Sequence, residues 1–194
     1  MQTDTDQTIR LADYQPLAYL IENVHMTFTL HPTESRVRTK IAFVVNPSGN
    51  GGDLRLDGQE LKLISAKIDG KAVALEPDAE GLTIPADMMS DRFVWECETV
   101  INPEANTSLD GLYMSGGMYC TQCEAEGFRK ITFYPDRPDV MTVFTVRIES
   151  NMPVLLSNGN PVESGEGWVE WHDPWPKPAY LFALVAGDLV SYDD

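Results

Sequence analysis

The 194-residue chain has no long hydrophobic run and contains few cysteines and few basic residues. A membrane-spanning helix needs about 20 consecutive apolar residues, and no segment approaches that length. The amino-terminal stretch MQTDTDQTIRLADY is polar and acidic and lacks the apolar segment of a secretion signal. We therefore predict no membrane partner. The length is typical of a single domain that buries its own core.

The cysteines are too few for a disulfide-stapled secreted fold. Cys97, Cys120 and Cys123 are the only three, an odd number, whereas small secreted domains carry many paired cysteines. The expected location is the reducing cytoplasm.

The charge balance is strongly acidic. Lys and Arg number 14 against 30 Asp and Glu, which gives a formal net charge of −16. Such a chain is repelled by the phosphates of nucleic acids and by anionic membranes, so we predict no nucleic-acid partner. A cationic substrate is compatible with this charge, as is a simple contribution to solubility.

Alternation of apolar and polar residues predicts the fold. It occupies residues 24–30, 37–45 and 93–101 and is typical of half-buried antiparallel strands. Asp69-Gly70 between two such runs indicates a hairpin, and NPSGNGG at 46–52 indicates a loop. No helical stripe exceeds two turns. Further extended segments are predicted at 143–148, 154–156, 168–171 and 180–185.

These patterns predict an all-β domain, an antiparallel β-sandwich or a saddle-shaped assembly of sheets. Residues 1–12 are interpreted as a polar lead-in and residues 13–194 as the domain. Pro174, Pro176 and Pro178 are interpreted as a turn before the last strand.

The stretch CTQCEAEGFR at 120–129 does not fit the strand pattern. The Cys120/Cys123 spacing suits zinc, but a structural site needs four ligands, and the chain offers no second close pair. A redox pair requires a helix amino terminus, which the pattern does not predict, so two inert thiols are the favoured interpretation. Glu124 and Glu126 are open to three interpretations: an acid/base pair, a carboxylate that binds a cation, or solvated loop charges.

The same stretch resembles the N-terminal domain of the aminopeptidase N family of zinc metallopeptidases. The family element Gln-x-Glu is matched by QCE at 122–124, its following arginine by Arg129, and its Pro/Asp-rich turn by YPDRPDV at 134–140. We expect this turn to be rigid, to lie behind Glu124 and to carry an ion pair of Asp136 or Arg137. Further segments resemble the bacterial branch in the family order: LRLDG at 54–58, NPEANT at 102–107, LDGLY at 109–113, LSNGN at 156–160 and PKPAYLFALVAGD at 176–188.

The resemblance implies a specific role for this cluster. In the family, a separate catalytic domain binds zinc through an H-E-x-x-H helix and a distant Glu, and this sequence contains no such motif. The resemblance implies that the β domain covers that site and that Glu124 binds the α-ammonium of the peptide, together with a Glu of the catalytic domain. Gln122 is expected to line the pocket for the first side chain.

The implied cofactor is zinc in the full-length enzyme, bound by the catalytic domain, with no metal or catalytic residue in this chain. The implied partners are a peptide N-terminus and the protein's own catalytic domain, so the chain is interpreted as an excised domain. The alternative is a stand-alone β-sandwich binding module without catalysis.

Overall fold

The computed structural model describes residues 10–192, and within this range all regular structure is strand or short 3-10 helix. The predicted all-β fold is confirmed. The 3-10 helices are Leu11–Asp13, Ala86–Met88, Phe128–Lys130 and Ala179–Leu181. The strands are β1 (Tyr19–Thr29), β2 (Ser35–Val45), β3 (Leu54–Asp57), β4 (Lys62–Ile68), β5 (Lys71–Ala72), β6 (Gly81–Ile84), β7 (Arg92–Ile101), β8 (Gly111–Ser115), β9 (Met118–Gln122), β10 (Thr142–Glu149), β11 (Val154–Ser157), β12 (Asn160–Gly165), β13 (Trp168–Lys177) and β14 (Leu184–Gly187).

The strands form three sheets. The large sheet has 8 strands in the order β12-β13-β10-β1-β2-β7-β4-β5, a second sheet has 4 strands in the order β11-β14-β9-β8, and β3 pairs with β6. All pairs are antiparallel except β1 with β10, which run parallel. The expectation of antiparallel pairing is therefore wrong for this one pair. Alternation decides which face of a strand is buried, but the direction of its neighbour depends on the long connection between them.

The local sequence signals agree with most of these elements. Asp69 and Gly70 join β4 to β5 with φ values of 50° and 75°, as a tight hairpin turn requires. Residues 46–52 form a loop as predicted. Of the predicted lead-in, residues 1–9 lie outside the described residues, and its last residues begin the 3-10 helix Leu11–Asp13.

Two predictions near the carboxyl end are wrong. Pro174 and Pro176 lie inside β13 instead of in a turn, because the pairing with β10 shifts between Thr142 and Phe144. Proline is tolerated at such a bulge, where it interrupts no ladder hydrogen bond. Residues 180–185 are not one strand: Pro178 precedes a 3-10 helix, and β14 begins only at Leu184.

The sheets share one buried hydrophobic core. Its members alternate along β1, where Val24, Met26 and Phe28 are buried, and residues of β3, β6, β9 and β14 join the same cluster. No helix among residues 10–192 has the length and apolar character needed to cross a membrane.

The segment between β9 and β10 is anchored to the inner face of the large sheet. Thr99 Oγ1 donates to the carbonyl oxygen of Ile131 at 3.1 Å, and the hydroxyls of Thr39 and Thr132 lie 2.8 Å apart. These buried contacts fix the residues that follow the cluster at 120–129.

Candidate functional site

The candidate site is the turn that follows β9. Gln122 ends the strand, the chain turns over residues 123–126, and the Gly127 N–H donates to the Cys123 carbonyl at 2.9 Å. A side chain at position 127 would collide with Asp110, Gly111 and the Gln122 carbonyl. The absence of a Cβ therefore lets the turn lie directly against the start of β8.

Glu124 is exposed at the tip of this turn. The Gln122 side-chain amide donates to the Glu124 carbonyl oxygen at 3.1 Å, which draws the two predicted site residues together. The Glu124–Ala125 peptide bond is cis. The Glu124 carboxylate makes no hydrogen bond or ion pair with any residue in the described range 10–192. It borders an open hollow of about 270 Å³, lined by Glu124, Ala125, Glu126, Asp136, Pro138 and Tyr180.

Glu126 differs from Glu124 although both are exposed. Its Oε2 lies 3.3 Å from Nη1 of Arg129, three residues later. Glu126 thus has a counter-charge within its own loop and Glu124 does not. This difference favours Glu124 as the carboxylate available to a cation.

The turn at 134–140 lies behind the site and carries the expected ion pairs. Asp136 accepts hydrogen bonds from the backbone N–H of Arg129 at 3.1 Å and from its Nε at 3.2 Å. Arg137 pairs instead with Asp139 at 2.7 Å. Burial raises the pKa of Asp136, and the hydrogen bonds and charge of Arg129 offset part of that rise. The buried carboxylate is therefore an anchor, with Arg129 as its counter-ion.

Tyr180 lines the candidate hollow, and sequence reasoning does not indicate it. It was interpreted as the start of a strand, but the 3-10 helix Ala179–Leu181 places it on the wall of the hollow beside Glu124. It lies inside the segment PKPAYLFALVAGD at 176–188, so the resemblance is the one sequence signal that reaches it.

The cysteines lie on separate elements and are free thiols. Burial raises the pKa of Cys97 to about 11 and also raises the pKa values of Cys120 and Cys123. Within the part of the chain that is described, no three His, Cys, Asp or Glu side chains come together as metal ligands.

We expect the three thiols to react at very different rates in the folded chain. Cys120 is partly exposed, whereas Cys97 and Cys123 are buried, and the thiolate is the reactive form. A chromogenic disulfide reagent should label one thiol quickly in native protein and all three in denaturant. Cys120→Ser should remove the fast reaction. A fast reaction that persists in this variant, or stoichiometric zinc in the purified chain, would contradict the interpretation as inert thiols.

A larger hollow, about 340 Å³, lies on the outer face of the large sheet, away from this turn. Its charges are largely paired: Lys40 lies 3.5 Å from Glu96 and Arg38 lies 3.6 Å from Glu149. Burial lowers the pKa of His25 in its lining. Because mutually neutralised charges offer little to a charged ligand, we favour the smaller hollow at Glu124.

Comparison with known proteins gives consistent results. Residues 15–181 match the family model described as the peptidase M1 N-terminal domain. The chain is similar to aminopeptidase N of Caulobacter vibrioides, with 52% identity over 97% of the chain, and to aminopeptidase N of Escherichia coli, with 45% identity over 91% of the chain.

A solved structure is similar to this chain in both fold and sequence. It is Legionella pneumophila aminopeptidase A in complex with aspartic acid, with a TM-score of 0.84 and 32% identity over 94% of this chain. The chain spans 23% of the Caulobacter protein, 21% of the Escherichia coli protein and 23% of the Legionella chain. The similarity thus concerns less than a quarter of each relative.

Proposed function

The chain belongs to the peptidase M1 N-terminal domain family, and we propose that it is the non-catalytic N-terminal domain of a zinc-dependent aminopeptidase. The complete enzyme would remove single amino acids from the N-termini of peptides. Its zinc would be held by a catalytic domain outside this sequence, where a metal of this kind polarises the scissile carbonyl and lowers the pKa of a bound water. This chain would cover that site and bind the substrate amine.

The observation that carries the proposal is the carboxylate of Glu124 at the edge of the hollow, which has no partner among the described residues. An aminopeptidase must distinguish a peptide N-terminus from an internal peptide bond, and the general difference is one positive ammonium group. A fixed carboxylate attracts that ammonium strongly once water is excluded. An internal peptide segment would leave the carboxylate buried without a partner, which is costly.

Each residue of the turn has a defined part in this proposal. Glu124 binds and orients the α-ammonium, and Gln122 borders the pocket for the first side chain. Neither residue transfers a proton. Together they place the first peptide bond over the catalytic centre, and correct placement alone contributes much of an enzyme's rate.

The other proposed partner is the catalytic domain of the same protein. The cytoplasmic location and the absence of nucleic-acid and membrane partners stay predictions from composition.

We expect the isolated 194-residue chain to fold as a β-rich domain without aminopeptidase activity. The proposal assigns zinc and the bond-breaking chemistry to the catalytic domain. Far-UV circular dichroism checks the fold, and a chromogenic aminoacyl anilide assay with added zinc checks activity. The full-length protein should hydrolyse the free-amine substrate but not its N-acetylated form.

Aminopeptidase activity that copurifies with the isolated chain through a second column would contradict the proposal. A native reading frame that ends with this domain would favour the alternative, a stand-alone binding module.

A further inference from the structure

Arg129 joins the turn that carries Glu124 to the buried part of the domain. Its side chain is only 13% exposed. Its Nε donates to Asp136 Oδ2 at 3.2 Å, Nη2 donates to the Asp136 carbonyl oxygen at 3.1 Å, and Nη1 lies 3.3 Å from Glu126 Oε2. One guanidinium therefore contacts the turn and the buried carboxylate at the same time.

Asp136 is in turn fixed to a strand. Its side chain is 3% exposed, and its backbone N–H donates to Oδ2 of Asp57, the last residue of β3, at 2.8 Å. Two backbone hydrogen bonds of 2.8 Å and 3.1 Å connect Asp57 to Tyr134. Contacts with Asp57 and with Arg129 thus hold Asp136 in place. Arg129 therefore pairs with a carboxylate that is itself fixed to β3.

Glu124 is not fixed to a strand in the way that Asp136 is. The hydrogen bonds from Gly127 to Cys123 and from Gln122 to the Glu124 carbonyl both lie within the turn. They fix the shape of the turn, whereas its position relative to the core depends on the buried Cys123 side chain, on packing against β8 and on Arg129. Among residues 10–192, the Glu126–Arg129 pair is the only ion pair that the turn makes.

Resting on the role proposed above for Glu124, we propose that Arg129 is a positioning residue for amine recognition. Its pairing with Asp136 determines the position of the Glu124 carboxylate. That position determines how strongly the enzyme prefers a ligand with an α-ammonium to a ligand with an uncharged group. The attraction between two charges falls with their separation, and a displacement of about 1 Å can cost up to a hundredfold in rate. Lysine cannot replace Arg129, because a point charge cannot occupy the same three contacts.

The test compares two inhibitors of the full-length enzyme, leucine hydroxamate and 4-methylpentanohydroxamate. They differ only in the α-amine, so the ratio of their inhibition constants reports recognition of that amine. Unfolded enzyme lowers the total activity but leaves this ratio unchanged. We expect Arg129→Lys to lower the preference for the amine about three- to tenfold.

Arg137→Lys is the matched control. Arg137 lies in the turn at 134–140 and pairs with Asp139 at 2.7 Å, but its other side-chain contacts are the Gln15 carbonyl and the Tyr14 ring, away from Glu124. This variant should keep the ratio within about twofold of wild type. Arg129→Gln keeps a hydrogen-bond donor at this position but loses the guanidinium and its three contacts, and should also lower the ratio. It replaces Arg129→Lys if that variant yields no folded enzyme.

Glu124→Gln, measured in parallel, separates the two proposals. If it lowers the ratio while Arg129→Lys and Arg129→Gln do not, Glu124 binds the amine but Arg129 does not position it. If Glu124→Gln leaves the ratio unchanged, the proposed function of this turn is itself wrong. Equal losses in Arg129→Lys and Arg137→Lys would also overturn the positioning role.

Discussion

Replacing Glu124 by alanine in the full-length enzyme should lower kcat/KM by about thirtyfold to a thousandfold. With the role proposed for Glu124, the variant loses a charged hydrogen bond to the α-ammonium in the ground state and in the transition state, which raises KM. It also releases the amino end of the peptide, so the scissile bond is misplaced and kcat falls. Steady-state kinetics on one aminoacyl anilide, with zinc content and melting temperature checked, measure both effects.

Glu126→Ala is the control within the same turn. Glu126 is mostly exposed and already paired with Arg129 at 3.3 Å, and exposed ion pairs contribute little. The pair with Arg129 also helps to hold the turn in place, so we expect Glu126→Ala to lower kcat/KM by about three- to tenfold, well below the loss in Glu124→Ala. If Glu126→Ala is the more impaired variant, Glu126 binds the amine and Glu124 is structural. Wild-type kinetics in both variants would show that the amine does not bind at this turn.

The different roles of Glu124 and Glu126 show where sequence reasoning stops. The two glutamates lie two positions apart in a turn. A turn has no regular alternation of side-chain direction, so the sequence does not show which way either side chain points. Resemblance to a family indicates Glu124, and the structure adds a physical distinction, because among residues 10–192 the Glu126 carboxylate has a counter-charge and the Glu124 carboxylate has none. That distinction depends on the path of the chain through residues 123–129, which composition and spacing do not determine.

The fold itself was more accessible to sequence reasoning. Alternation along residues 24–30 and 93–101 predicted β1 and β7, since burial on one face alone imposes that pattern. The parallel pairing of β1 with β10 was inaccessible, because the two strands are separated by most of the domain and alternation carries no direction. Tyr180 is a similar case, since only the 3-10 helix after Pro178 brings it to the hollow.

The core beside the site contains an aromatic cluster centred on Phe128. Phe128 is completely buried, and its ring centroid lies 4.9 Å from that of Tyr134, 5.2 Å from that of Phe182 and 5.9 Å from that of Phe144. All three contacts are edge-to-face, a favourable geometry for aromatic rings. The neighbours come from the turn at 134–140, the segment before β14, and β10. Phe128 therefore packs against both the large sheet and the segment that leads into β14 of the second sheet.

Phe128→Ala should lower the free energy of unfolding of the isolated chain by about 3–5 kcal/mol. The substitution removes buried apolar surface and leaves a cavity that three separate segments cannot all close. Urea unfolding followed by circular dichroism measures the change. Phe128→Leu, which fills part of the space, should cost clearly less, and Leu181→Ala, at a residue that is 50% exposed, should stay within about 0.5 kcal/mol of wild type. A loss below about 1 kcal/mol in Phe128→Ala would mean that the sheets do not depend on this ring. The segment that carries Glu124 and Arg129 would then be held by its other buried residues and by its polar contacts.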